Sequence, residues 1–315
     1  MMGPFTVFTM VLYILLCFLG IMANGFIVVV LGREWVRCHQ LSPCDMILII
    51  LGASCFFLQW VGMIHNFYYF FHHLQYSKEP ARQYFGIYWD FLNTVTFWFA
   101  TWLSVLFCVK IADFTHPIFL WLKWRVKGLV PWFLLFSLLI SFIITMLFFA
   151  GNNALYQAFF QGTFFGNGTL YDFTRKLEIH YFFPLKLITL CIPSSLFVVS
   201  IILLIISLQR HFWKIKHNAN SAQDPSIQAH TRALKLLVTF LVLYALSFMS
   251  FIIDAAISGI GSTWYWLWQI VIYLCTSVHP VILIFGNSQL GQALMKLLLL
   301  VPKAFWNDKG ISSLT

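Results

Sequence analysis

Lys110-Ile111-Ala112-Asp113-Phe114-Thr115-His116-Pro117-Ile118-Phe119-Leu120-Trp121-Leu122-Lys123 is the stretch on which the fold turns. A long apolar run reaches Lys110 from the N-terminal side, and a carboxylate and a His-Pro pair follow at once. Arg125 and Lys127 come just after Lys123. If the run before Lys110 spans a membrane, this stretch is a charged hinge at the cytoplasmic face. The residues on either side of it decide whether it does.

Of the 315 residues, 61% are hydrophobic and 9% charged, where a soluble globular domain carries about 25% charged residues. Six or more stretches of about 20 residues hold few or no charges, the length that crosses a bilayer core. The chain has 13 Trp and 12 Tyr, residues that favour membrane interfaces, beside 35 Phe. The expected fold is therefore all-α, a seven-transmembrane-helix bundle forming a single membrane domain over residues 1–315. The spans fall at about 7–31, 43–68, 84–112, 128–150, 181–208, 232–257 and 265–286. Leu290, Leu294, Leu297, Leu298 and Val301 then recur at helical spacing, which predicts a short amphipathic C-terminal helix over about 288–301 lying along the interface. The first span has no basic region before it and is too long for a signal-peptide core, so it is read as retained.

Charge sets the orientation. With the N-terminus outside, 14 of the 19 Lys and Arg fall on the inner side, among them Arg33, Arg37, Lys110, Lys123, Arg125, Lys127, Lys235 and Lys296. The positive-inside rule then puts the N-terminus in the extracellular space and the C-terminus in the cytoplasm of a multi-pass plasma-membrane protein. The single Asn-x-Ser/Thr sequon, Asn167-Gly168-Thr169, lies in the longest outward loop, about 151–180, and Asn167 is the expected glycosylation site. All seven cysteines fall in spans or inward loops, so no extracellular disulfide is expected.

Several function classes lose support on the same residues. No Lys/Arg run is dense enough for nucleic acid. The ten histidines are scattered, with only His72-His73 adjacent, and no C-x-x-C pair or metal-ligand spacing occurs, so neither an enzyme, a cofactor nor a metal site is expected. A transporter places ionisable groups inside its spans and often repeats its architecture. Here Asp90 and Asp254 lie near outer helix ends, where water is expected to reach them, and no repeat is visible. A transporter remains the alternative from a different class, and a pheromone-type chemosensor the alternative among seven-helix receptors.

Motifs spread along nearly the whole chain narrow the field. Span one holds Asn24-Gly25-Phe26-Ile27 and span two Leu51-Gly52-Ala53-Ser54. Span three ends Leu103-Ser104-Val105-Leu106-Phe107-Cys108-Val109-Lys110-Ile111-Ala112-Asp113-Phe114-Thr115. Span six opens His230-Thr231-Arg232-Ala233-Leu234-Lys235, and span seven closes on His279-Pro280-Val281-Ile282-Leu283-Ile284-Phe285-Gly286-Asn287. Together these resemble the bitter taste receptors, the type 2 family of G-protein-coupled receptors. The span-three ending is similar to that family's L-S-x-F-Y-x-x-K-I-A-x-F-S, the start of span six to H-x-x-A-L-K, and the end of span seven to H-S-x-x-L-I-x-x-N. Two departures stand out. Cys55 replaces the arginine that usually follows the span-two serine, and Pro280 replaces the serine after His279.

The resemblance implies bitter small molecules as agonists, a heterotrimeric G protein with a gustducin-type α-subunit and βγ as partner, and membrane lipid as surroundings. Trp89 and Asn93, four residues apart on one face of span three, read without it as an interface aromatic and a helix-bridging amide. With it they are ligand-pocket residues, as is Gln269, which stands where many family members carry a glutamate. Phe182, Ser247 and Phe248 are further pocket candidates, and Trp264, Trp266 and Trp268 an interface belt. Lys110, His116, His230, Lys235 and His279 are the expected G-protein contacts, with ordinary positive-inside topology as the plainer reading of the lysines. From Trp89 to Lys110 one helix rises roughly 31 Å in close to six turns, so the two lie on nearly the same face.

Overall fold

The computed structural model describes residues 4–71, 81–112, 117–160, 172–173, 175–218, 238–239, 242–251, 253 and 262–311. They form an all-helical membrane bundle: α1 Pro4–Cys38, α2 Pro43–Phe71, α3 Ala81–Ile111, α4 Pro117–Phe160 and α5 Phe183–Asn218, then α6, an apolar helix at Val242–Phe251, α7 Ser262–Gly286 and α8 Ser288–Ile311. Among the described residues six helices are long and apolar enough to cross a membrane.

The helix starts follow from local chemistry. Three of them, α1, α2 and α4, begin at proline, whose missing N–H costs nothing in the first turn. At α2 the Ser42 hydroxyl oxygen also accepts the Asp45 N–H at 3.1 Å and donates its proton to the Asp45 carboxylate at 2.6 Å. Between α7 and α8 the Asn287 side chain accepts from the N–H groups of Gln289 and Leu290 at 2.9 and 3.3 Å. It caps α8 with no loop between the two helices. A π-helical turn, Glu178–Phe182, leads without a break into α5.

Helix α3 is the central post, packing against α2, α4 and α5, while α1 packs on α2 and α7. Its most apolar window is 67% buried, against 28% for α4. In a bilayer the interior goes to the helix that carries polar groups, and α3 buries Thr94, Thr101 and Ser104. Helix α4 instead divides into two faces. Trp132, Leu135, Phe136, Leu139, Phe142 and Ile143 stay exposed as a lipid-facing side. Ser137, Ser141 and Thr145, spaced by one turn, are buried. Small polar residues in such a stripe let helices approach closely in a bilayer. There Trp102 of α3 stacks on Phe133 at 4.3 Å and donates its indole N–H to the Ser137 hydroxyl at 2.6 Å.

Buried polar side chains must find partners inside the bundle. Asn66 of α2 donates to the Tyr13 hydroxyl of α1 at 2.7 Å and to the Gln269 carbonyl of α7 at 3.4 Å. Gln59 of α2 donates to Ser277 of α7 at 3.1 Å. Two glycines make room for this network. A Cβ at Gly20 would fall on the Gln59 amide, and one at Gly62 on the Tyr273 hydroxyl.

Candidate functional site

Three aromatic residues gather where α3, α5 and α6 meet. Phe197 of α5 stacks on Tyr244 of α6 at 3.7 Å, and Phe97 of α3 meets Tyr244 edge-on at 5.4 Å. Beneath them the Thr101 hydroxyl, on α3, lies 3.0 Å from the Pro193 carbonyl of α5 and 3.4 Å from the Tyr244 hydroxyl. Beside this packed layer the bundle leaves two adjoining cavities.

The central cavity, about 50 Å³, is lined from α2, α3, α6 and α7. Asn93 and Thr96 come from α3, Ser247 and Tyr244 from α6, Thr276 and His279 from α7, and Cys55 from α2. A second cavity of about 30 Å³ lies between α3 and α5, bounded by Trp89, Asp90, Asn93 and Thr94 on one side and Lys186, Thr189 and Leu190 on the other. Phe148 of α4 and Phe251 of α6 complete it. Asn93 and Phe251 belong to both. Phe251 is held between the Trp89 ring at 5.8 Å and the Phe97 ring at 5.4 Å.

The sequence-expected pocket residues therefore separate. Trp89, Asn93 and Ser247 line the cavities. Phe248 packs against the core beside them. Phe182 stands one layer out, stacked on Phe148 at 6.3 Å with the rings nearly parallel. Gln269 turns toward α2 and meets Asn66. His279, expected among the G-protein contacts, lines the central cavity with Asn93 and Ser247. Lys110 is exposed at the end of α3. His116, His230, Lys235, Asn167 and Asp254 lie outside the described residues, as do the side chains of Trp264, Trp266 and Trp268.

Cys55 is 2% exposed and faces the central cavity. A side chain as short as cysteine leaves space that a longer one would fill, and the cavity is roomy enough for about three waters. Sequence reasoning singled out Cys55 but not the cavity beside it. It missed Lys186 and Phe251, and it expected Asp90 in water, whereas Asp90 is half-buried against the second cavity. Its place next to Trp89 gave no hint of this, since adjacent residues on a helix do not share a face.

The described helices thus form a multi-pass membrane bundle with two adjoining interior cavities. The family model for taste receptor protein (TAS2R) matches residues 1–302. Taste receptor type 2 member 41 of Mus musculus is 57% identical over 307 residues, covering 97% of this chain and 99% of that protein. The Pan troglodytes member 41 is also 57% identical over the same shares, and Homo sapiens member 60 is 43% identical over 285 residues, 89% of each. The chain belongs to the type 2 taste receptors, the bitter-taste family of G-protein-coupled receptors, which are not enzymes.

Proposed function

We propose that this chain is a plasma-membrane receptor for bitter small molecules that couples agonist binding between α3, α5, α6 and α7 to a heterotrimeric G protein with a gustducin-type α-subunit. The observation that carries the reading is the placement of Asn93 at the junction of the two cavities, on a helix that runs unbroken to the exposed Lys110. Trp89, Asn93 and Ser247 make direct ligand contact. Phe182, Phe248 and Gln269 act from the next layer, Gln269 through its bond to Asn66. The Lys/Arg distribution supports an extracellular N-terminus and a cytoplasmic C-terminus. Lys110, His116, His230 and Lys235 then belong to the face that receives the α-subunit, and Asn167 to the glycosylated side.

Drug-sized ligands occupy pockets of roughly 300–1,000 Å³, far more than the 50 and 30 Å³ present here. Agonist binding therefore requires the two cavities to merge and widen, with Phe251 moving aside. A ligand that binds only the widened arrangement shifts the population toward it. In cells expressing the receptor with a taste-type G protein, a panel of bitter compounds is expected to raise calcium. The rise should vanish when the G protein is left out. A response that survives that omission, or a panel without any active compound at normal surface expression, sinks the proposal.

A further inference from the structure

The cavity between α3 and α5 carries charge that the reading above leaves unused. Asp90 and Lys186 are both half-buried and both line it. Around them the polar surface is uncharged: Asn93, Thr94 and Thr189. The Thr94 and Thr189 hydroxyls donate to the carbonyls of Asp90 and Leu185 at 2.8 and 2.7 Å, which leaves their lone pairs available as acceptors. The remaining walls are Trp89, Phe148, Leu190 and Phe251.

Opposite charges lining one small, largely apolar cavity offset each other, so the site as a whole carries no net charge. A ligand group bearing one charge that enters this space pairs with one of them and strands the other, which is strongly unfavourable away from water. A group with no net charge, dipolar or zwitterionic, can replace the mutual attraction on both sides. We propose that Asp90 and Lys186 form a charge-paired subsite of the ligand pocket, which accepts the uncharged or zwitterionic polar end of a ligand and discriminates against a lone cation or anion. The inference rests on the receptor reading and adds to it the ligand class. The favoured ligand is an amphiphile with its polar end at Asp90 and Lys186 and its apolar body past Phe251, toward Ser247 and Tyr244.

The test uses the full-length receptor in the calcium assay, with surface expression measured in parallel. Its probes are four molecules on one indole scaffold: indole-3-propionamide, tryptophan, tryptamine and indole-3-propionate. The wild type is expected to respond to the neutral and zwitterionic members at lower concentrations than to either ion. Lys186→Met leaves Asp90 unpaired and should lower the half-maximal concentration of tryptamine about tenfold, equivalent to roughly 1.4 kcal/mol. Asp90→Asn should do the same for indole-3-propionate. The two variants read the same pairing from opposite sides, so either one that reaches the cell surface decides the matter. An unchanged order among the four probes in that variant overturns the inference. So does a wild type silent to all four; if it still answers other bitter compounds, the receptor reading stands and only the subsite falls.

Discussion

Gly62 carries no side chain because the Tyr273 hydroxyl occupies the place where a Cβ would sit. Gly62→Ala forces α2 and α7 apart or turns the Tyr273 ring, an overpacking cost of about 1–3 kcal/mol. The expected result is a lower melting temperature in detergent, partly restored by Tyr273→Phe in the same chain, which removes the clashing oxygen. Cys55 presents the reverse problem of too little volume. Filling its cavity of about 50 Å³ with Cys55→Leu is expected to gain about 1 kcal/mol, at roughly 24 cal/mol per Å³. Cys55→Arg restores the residue usual in the family but places a cation where no described carboxylate lines the cavity. It should melt below Cys55→Leu, because a buried unpaired charge is costly. If the arginine variant is the more stable of the two, the cavity is more polar than its lining implies. Trp89 and Asn93 were singled out by the family resemblance, since their spacing alone reads as an interface aromatic and a helix-bridging amide. Asp90 was not singled out, because a charge near a helix end looks solvated until the neighbouring helix is in place.

At the scale of elements, local chemistry accounts for several helix starts but not for the helix faces. Pro43 and Asn287 announce their roles in the sequence, since proline opens helices and asparagine caps them. The two faces of α4 did not announce themselves, because a helix apolar nearly all round gives no periodicity to follow. Packing against α3 turned Ser137, Ser141 and Thr145 inward. The Trp102–Ser137 bond in that seam makes a measurable prediction. Ser137→Ala leaves the indole N–H without its acceptor, and Trp102→Phe removes the donor as well as area. A double-mutant cycle by thermal melting should find a coupling of about 1 kcal/mol between them. Additive effects at these two positions would mean that the bond contributes nothing to holding α3 on α4.

Across the whole molecule, α3 joins the cavity layer to the far end of the bundle. Its window is the most buried of the six spanning candidates. Lys110 is exposed where α3 ends, on the face proposed to receive the G protein. Lys110→Ala is expected to reach the surface normally and to lose most of its agonist-dependent calcium response, while Lys110→Arg keeps it. Full signalling by the alanine variant would reduce Lys110 to a topological charge.

Composition and hydropathy by themselves determined that the chain crosses a membrane several times, because so few charged residues leave no soluble alternative. Lys/Arg placement set its expected orientation, and the motif around Lys110 and His279 its family. Those are local properties, carried by residues near one another in the chain. The tertiary structure decided how each helix is rotated about its axis. That rotation put Asp90 opposite Lys186, turned Gln269 toward Asn66, and set Cys55 and His279 against a shared cavity. It depends on packing between residues as much as 218 positions apart, and in spans apolar on most sides no hydrophobic stripe records it.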